Sequence, residues 1–286
     1  MFDSKTILIT GGTGSLGTAI CDRLKDEPLK KLILLSSSEA KQRYSKGRFA
    51  DYQQFRWRVG NIRDIDRLVE AFQDVDYIIH AAAMKDIEIC EADPSETLKT
   101  NCMGTDNVVH AAMKCRVQKI LLVSTDKAVN PTTTYGISKA MAERLVLGAR
   151  HIVGDKDIKF SVVRYGNVVG SAGSVVPKWG AMIAAGAKSL PITHKASTRF
   201  WYPMQDAVAF VLDSLEHMHG NEIFVPRISS VRMVDVAAAF CYPWHEIGLR
   251  ENEKIHEEMM PGYDSGSNED FLTVEQIRET IKEWLP

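Results

Sequence analysis

A doubly wound parallel α/β fold is predicted by three observations: short β-branched apolar runs, windows of helical period between them, and a glycine-rich turn directly after the first run. The runs Thr6–Thr10, Leu32–Leu35, Tyr77–His80, Ile120–Ser124 and Phe160–Arg164 each read as a strand. Between them, Leu16, Ile20 and Leu24, or Ile65, Leu68, Val69 and Phe72, recur at the spacing of one helix face. Parallel neighbours need a long crossover, so this alternation implies a parallel sheet covered by helices on both faces.

With 286 residues, 45% of them hydrophobic, the chain has enough material for a sizeable core. The formal charge of −2 lacks the basic excess that tracks nucleic-acid backbones or anionic lipid, which leaves a small-molecule partner as the expectation. Cys21, Cys90, Cys102, Cys115 and Cys241 form no C-x-x-C pair and read as reduced, mostly buried thiols of a cytoplasmic protein. No basic leader or long apolar stretch precedes the first strand, so neither export nor membrane insertion is expected. His80, His194 and His256 lack ligand spacing and read as structural or loop residues, and no metal is expected.

The turn TGGTGSLG, Thr10 to Gly17, sits between the first strand and the first helix, the context of a Rossmann-type dinucleotide fingerprint. Gly11 permits the tight turn, Gly14 admits a pyrophosphate to the backbone, and Gly17 lets helix and sheet pack closely. Leu35 is followed by Ser36, Ser37 and Ser38 rather than by an acidic residue that would grip a ribose 2′-hydroxyl. With Lys41 and Arg43 beyond them, these hydroxyls favour NADP over NAD, although charges in a solvated loop would look the same. Asn61 in GNIRD can meet the adenine edge, and Ala81, Ala82 and Ala83 let the cofactor lie close. Met84 can flank the nicotinamide or simply pack.

Tyr135 and Lys139 form Y-x-x-x-K, which places both side chains on one helix face. A lysine ammonium beside a phenol lowers its pKa, so Tyr135 can accept an alcohol proton while hydride leaves for the cofactor. Thr125, Asp126 and Lys127 emerge at the carboxyl end of the strand before that helix, where open sheets bind ligands, and put an acid and a base beside the substrate. The competing reading of Asp126 and Lys127 is a solvated turn ion pair of little worth. After Asn167 the chain becomes rich in Gly, Ser, Pro and Thr. Residues 1–166, rejoined by 205–225, are therefore expected to form the dinucleotide-binding domain, and 167–204 with 226–286 a small C-terminal substrate lobe, ending in a helix Thr273–Trp284.

Together, TGGTGSLG at 10–17, HAAAMK at 80–85, STDKAVNP at 124–131, YGISK at 135–139, RYGNVVGSAGSVVP at 164–177, LPIT at 190–193, TRFW at 198–201 and EIFVPRI at 222–228 resemble the C5-inverting UDP-N-acetylglucosamine 4,6-dehydratases. These belong to the extended short-chain dehydrogenase/reductases, and the resemblance covers residues 5 to 260. It implies a homo-oligomeric enzyme with a tightly bound, recycled NADP or NAD. A ketone formed at C4 acidifies the C5 proton; Lys127 removes it, Asp126 protonates the departing C6 hydroxyl, and hydride returns to C6. Thr125 is then a substrate hydroxyl contact and Lys139 the partner of Tyr135. Expected cofactor contacts are Gly11, Thr13, Gly14, Ser15, Leu16, Gly17, Ser36, Ser37, Ser38, Lys41, Asn61, Ile62, Ala81, Ala82, Ala83, Lys85, Asn101, Tyr135, Lys139, Tyr165 and Asn167. Expected contacts to a UDP-N-acetylhexosamine are Lys85, Asn167, Ser174, Val175, Thr193, Arg199, Arg250 and Glu253, with the Arg199 guanidinium offering two donors to a diphosphate.

The chain departs from that pattern in three places: SSSE at 36–39 replaces SRDE, AAAMKDIE with Asp86 and Glu88 replaces AAAxKHVP, and RENEKIHE at 250–257 replaces RPGEKxHE. Three alternatives stay open. A sugar-nucleotide 4-epimerase shares the turn, tyrosine and lysine but needs no acid–base pair for losing water, a variant elimination stops at a 5,6-alkene, and a non-catalytic binding module would predict a damaged Tyr135–Lys139 pair.

Overall fold

The computed structural model describes residues 2–285. Strands β1 (Thr6–Thr10), β2 (Lys31–Ser36), β3 (Phe55–Val59), β4 (Tyr77–His80), β5 (Lys119–Thr125) and β6 (Lys159–Tyr165) pair in parallel throughout. The crossovers carry α1 (Ser15–Leu24), α2 (Glu39–Arg48), α3 (Ile65–Ala71), α4 (Ile87–Ala92), α5 (Pro94–Thr97), α6 (Gly104–Cys115) and α7 (Thr134–Gly148). Beyond them lie β7 (Asn167–Val168), α8 (Val175–Ala184), β8 (Leu190–Ile192), β9 (Thr198–Tyr202), α9 (Met204–His217) and β10 (Ile223–Phe224), which returns to pair with β6. The seven-stranded order is β10-β6-β5-β4-β1-β2-β3. Its direction of growth reverses between β1 and β4, and the crevice outside their carboxyl ends is where such sheets bind ligands.

The predicted two-sided covering is present. Ile7, Ile9, Leu32, Leu34, Leu121 and Val163 pack on one face with Ile20 and Leu24 of α1 and Val211 and Leu215 of α9. Their neighbours Leu8, Ile33, Leu35, Ile120, Leu122 and Val162 pack on the other with Leu68, Val108, Ala112 and Val146. Alternation along each strand sends successive side chains to opposite cores, which explains why the strands read as unbroken apolar runs.

A separate core of Trp179, Leu190, Ile192, Trp201, Val231, Phe240, Ile277 and Ile281 lies under the C-terminal segments. These segments contain β11 (Ser230–Arg232), α10 (Met233–Ala239), β12 (Trp244–Glu246), β13 (Glu258–Met260), β14 (Tyr263–Asp264) and α11 (Val274–Ile281). The last predicted helix starts at its Thr273 cap, which exchanges hydrogen bonds with Gln276, but its regular part stops at Ile281. Cys21, Cys90 and Cys102 are buried, Cys115 is half-buried and Cys241 exposed, and all are free thiols. No helix among the described residues is long and apolar enough to cross a membrane.

Candidate active site

The glycine turn takes the strained geometry its sequence demands. Gly11 has φ +68°, and a Cβ there would stand 2.9 Å from the Ala82 backbone at the end of β4. Gly14 caps α1 without a side chain, and no acidic residue lies in the first turn, so the helix amides stay free for an anion. A groove of about 580 Å³ beside it is lined by Thr13, Gly14, Ser15, Lys41, Tyr44 and Arg48, among others. Its one carboxylate, Asp22, pairs with Arg48 at 2.6 Å. Thr13 donates to Ser36 at 2.7 Å, and Ser38 caps α2 by accepting from the Lys41 amide. Lys85, at the end of β4, has its ammonium pKa lowered by partial desolvation and then by the neighbouring Lys41. Free amides, hydroxyls and paired cations are the donor set a phosphate-rich dinucleotide needs, so these residues fit the expected cofactor.

Asn61 is exposed and accepts from the Arg63 amide, while Ile62 is buried against Gly104. Asn101 clamps the Met84 backbone through two 2.8 Å hydrogen bonds and reaches Ser138 of α7 at 2.9 Å, which ties the β4 end to the tyrosine helix. His80 bridges Thr10 and Thr105 in full burial, its pKa pushed down to about 3, as expected of a structural histidine.

The catalytic candidates converge at the carboxyl end of β5. Thr133 caps α7, Glu91 receives the Thr134 amide and hydroxyl, and Gly136 lets the helix rest on the Lys127 carbonyl, where any Cβ would collide. Tyr135 therefore stands in the first helical turn, directly over the Asp126 turn. Asp126 is fully buried, which rules out the solvated ion-pair reading. Its Oδ1 accepts from Thr125 at 2.8 Å and from Lys127 at 3.1 Å, while Oδ2 has no protein partner. Burial raises the Asp126 pKa against the pull of Lys127. Lys127 also donates to Asn167 at 3.3 Å and lies 3.3 Å from Glu257. Burial disfavours its charge, yet Asp126 and Glu257 together hold it firmly as an ammonium.

Tyr135 and Lys139 stand one turn apart on α7, as the Y-x-x-x-K spacing expects. Burial pushes the phenol up to about 12, and the cation that pulls hardest against this is Lys127. Lys139 instead donates to the Val123 carbonyl at 2.8 Å, and burial lowers its pKa to about 8. The i, i+4 spacing put both residues on one face but did not fix where the longer side chain would find its acceptor.

Among the substrate candidates, Arg199, Thr193 and Glu253 form one cluster: Glu253 accepts from Arg199 and from Thr193 at 2.8 Å each. Arg199 is nearly buried, and its other terminal nitrogen donates to the Thr198 and Ile255 carbonyls. Much of the fork expected to face a diphosphate is thus committed within the protein. Arg250 is exposed and pairs with Glu88 at 3.0 Å, so the departing Glu88 meets the arginine that opens RENEKIHE. Ser174 precedes Val175 at the start of α8 with a buried hydroxyl that has no partner, and Tyr165 packs on Tyr202. Glu257, missing from the expected set, sits at the centre of the cluster; as the last residue of RENEKIHE it had a motif but no assigned chemistry.

A parallel sheet with a glycine turn at its switch point and a Y-x-x-x-K helix beside an acidic turn defines an enzyme of the nicotinamide-dependent short-chain dehydrogenase class. Within it, the chain belongs to the family described as polysaccharide biosynthesis protein, whose model matches residues 7–279. It is 44% identical over 285 residues to a UDP-N-acetylglucosamine 4,6-dehydratase (inverting) of Campylobacter jejuni, covering 99% of this chain and 85% of that protein. A UDP-glucose 4-epimerase of Rickettsia bellii is 37% identical over 281 residues, with 95% and 82% covered. Among solved structures, Pen from Bacillus thuringiensis superposes with a TM-score of 0.94 at 30% identity, covering 99% and 98% of the two chains.

Proposed function

We propose that the chain is a sugar-nucleotide 4,6-dehydratase acting on UDP-N-acetylglucosamine, with inversion at C5. The observation that carries this reading is the buried Asp126, one oxygen unpartnered, hydrogen-bonded to Lys127 beside Tyr135. Eliminating water needs an acid for the leaving hydroxyl and a base for the neighbouring carbon, whereas exchanging stereochemistry at C4 alone needs neither. The name of the Campylobacter relative supports the same substrate and stereochemistry.

Bound along the glycine turn, a nicotinamide dinucleotide would accept hydride from C4 and return it at C6. Tyr135 takes the C4 hydroxyl proton, with the Lys127 ammonium stabilising the phenolate. Asp126, whose carboxyl is biased toward its protonated form, delivers a proton to the C6 hydroxyl. Lys127 first passes its proton to solvent; the neutral amine then takes the C5 proton, and the pair of the broken C5–H bond forms the C5–C6 double bond as water leaves. Lys139 anchors α7 through the Val123 carbonyl. Arg199, Thr193 and Asn167 are assigned to the UDP-sugar; Arg199 and Thr193 share Glu253, and Asn167 accepts from Lys127.

The test is incubation with UDP-N-acetylglucosamine in deuterated water, followed by NMR and mass spectrometry. Loss of one water with deuterium at C5 supports the dehydratase, and the ring couplings report inversion. A 4-epimer of unchanged mass would instead establish the reading that the Rickettsia relative favours.

For the cofactor we assign NADP, with Ser36, Ser38, Lys41 and Lys85 around the 2′-phosphate. Changing Ser36→Asp places a carboxylate where the second strand ends. A like charge at 4 Å costs about 1 to 4 kcal/mol between bulk water and a protein surface. Preference should therefore move toward NAD by on the order of tenfold or more, read as the ratio of dissociation constants for the two nucleotides.

A further inference from the structure

The acid–base pair has a third member. Glu257 is 4% exposed, and its backbone is fixed by Ser265, whose hydroxyl accepts from the Glu257 amide at 2.9 Å and whose own amide donates to the Glu257 carbonyl at 2.7 Å. Its Oε1 lies 3.3 Å from the Lys127 ammonium, and its Oε2 is buried without a hydrogen bond. One ammonium thus stands between two buried carboxylates, Asp126 at 3.1 Å and Glu257 at 3.3 Å. Two like charges sharing one cation in a desolvated site do not ionise alike.

We propose that Glu257 is a positioning residue of the elimination: its carboxylate carries the counter-charge of Lys127 and so leaves Asp126 free to hold the proton delivered to the leaving hydroxyl. This rests on the dehydratase reading for its catalytic consequence, but the division of charge is a property of the chain itself. The surrounding groups favour that division. Glu257 faces Lys127, Arg199 of β9 and Lys254, all cationic, and its pKa is lowered against burial. Asp126 faces Lys127 alone among cations, with Thr125 donating and Glu257 and the Tyr135 phenol nearby, and its pKa is raised. The unpartnered Asp126 Oδ2 is the oxygen available to carry the proton. One proton passes from Asp126 to the C6 oxygen as the C6–O bond breaks; that bond's electron pair leaves with the water, and the C5–H pair becomes the C5–C6 double bond.

The test begins with the unsubstituted protein carrying 13C-carboxyl aspartate and glutamate, with signals assigned through Asp126→Asn and Glu257→Asp. Asp126 should titrate above, and Glu257 below, the ordinary carboxylate range; equal or reversed midpoints overturn the proposal, whatever the substrate. In Glu257→Gln, loss of a negative charge should lower the proton affinity of both neighbours. The Asp126 midpoint and both limbs of the kcat profile should move to lower pH by about one unit or more, and kcat should fall about 10- to 100-fold at neutral pH. Glu257→Asp should keep the parental profile. A Glu257→Gln protein that loses activity with an unmoved Asp126 midpoint and profile makes the residue merely structural and sinks the proposal. Failure of the unsubstituted protein to dehydrate the sugar nucleotide would count against the dehydratase reading, while the carboxyl titrations would still decide the charge division.

Discussion

Replacing Asp126 by asparagine is expected to cut turnover by about 10²- to 10⁴-fold, the usual worth of a positioned general acid. The substitution is nearly isosteric, and its oxygen can still accept from Thr125 and Lys127, the contacts made by Asp126 Oδ1. The atom that changes is Oδ2, buried without a protein partner, which becomes an amide nitrogen that can donate a hydrogen bond but is far too weak an acid to transfer a proton. Removal of the C4 hydride is untouched by that change. The variant should therefore reduce its bound nicotinamide on mixing with substrate, seen as absorbance, while releasing almost no product lighter by one water. A variant that dehydrates at the parental rate would show that another group protonates the leaving hydroxyl.

The second large effect concerns the fold and cofactor together. A Cβ added at Gly17 would lie 2.6 Å from the Gly12 Cα and carbonyl oxygen, backbone atoms that cannot turn aside. Overpacking of this kind costs on the order of 3 kcal/mol, or a fall of roughly 5 °C in Tm for a chain of this size. Because Gly12 and Gly14 belong to the same turn, the relief of that clash should also distort the phosphate-binding amides and weaken nucleotide binding. Gly47→Ala is the control: an added Cβ meets nothing within 4 Å near the end of α2. It should leave Tm unchanged or raise it, since alanine is favoured over glycine in helices by about 1 kcal/mol. Equal losses from both changes would contradict the close-packing role given to Gly17.

Much of this architecture was legible because the buried parallel strands carry their own signal. Thr6–Thr10 and Tyr77–His80 match their predicted limits, and the other predicted strands grow by one residue at each end. Strand β3 was missed because FRWRV lies at the sheet edge and offers Phe55 as its one buried residue, with charged Arg56 and Arg58 beside it. The site divides in the same way. Residues carried by one local motif, such as Gly11, Asp126 and Tyr135, announced themselves through spacing. Glu257 did not, because its role depends on Lys127 and Arg199, brought beside it only by the tertiary fold. The final acceptor of Lys139 likewise comes from β5, not from its own helix.

The same long-range assembly bears on how the molecule comes into being. The glycine turn and the first strands can form from sequence neighbours, but Lys254 reaches the Val129 carbonyl across 125 positions, and Arg164 reaches the Met259 carbonyl across 95. Contacts of such separation close late, after loop entropy has been offset by a formed sheet. During synthesis from the N-terminus, the glycine turn and strands β1 to β6 therefore emerge before Lys254, Glu257 and Met259.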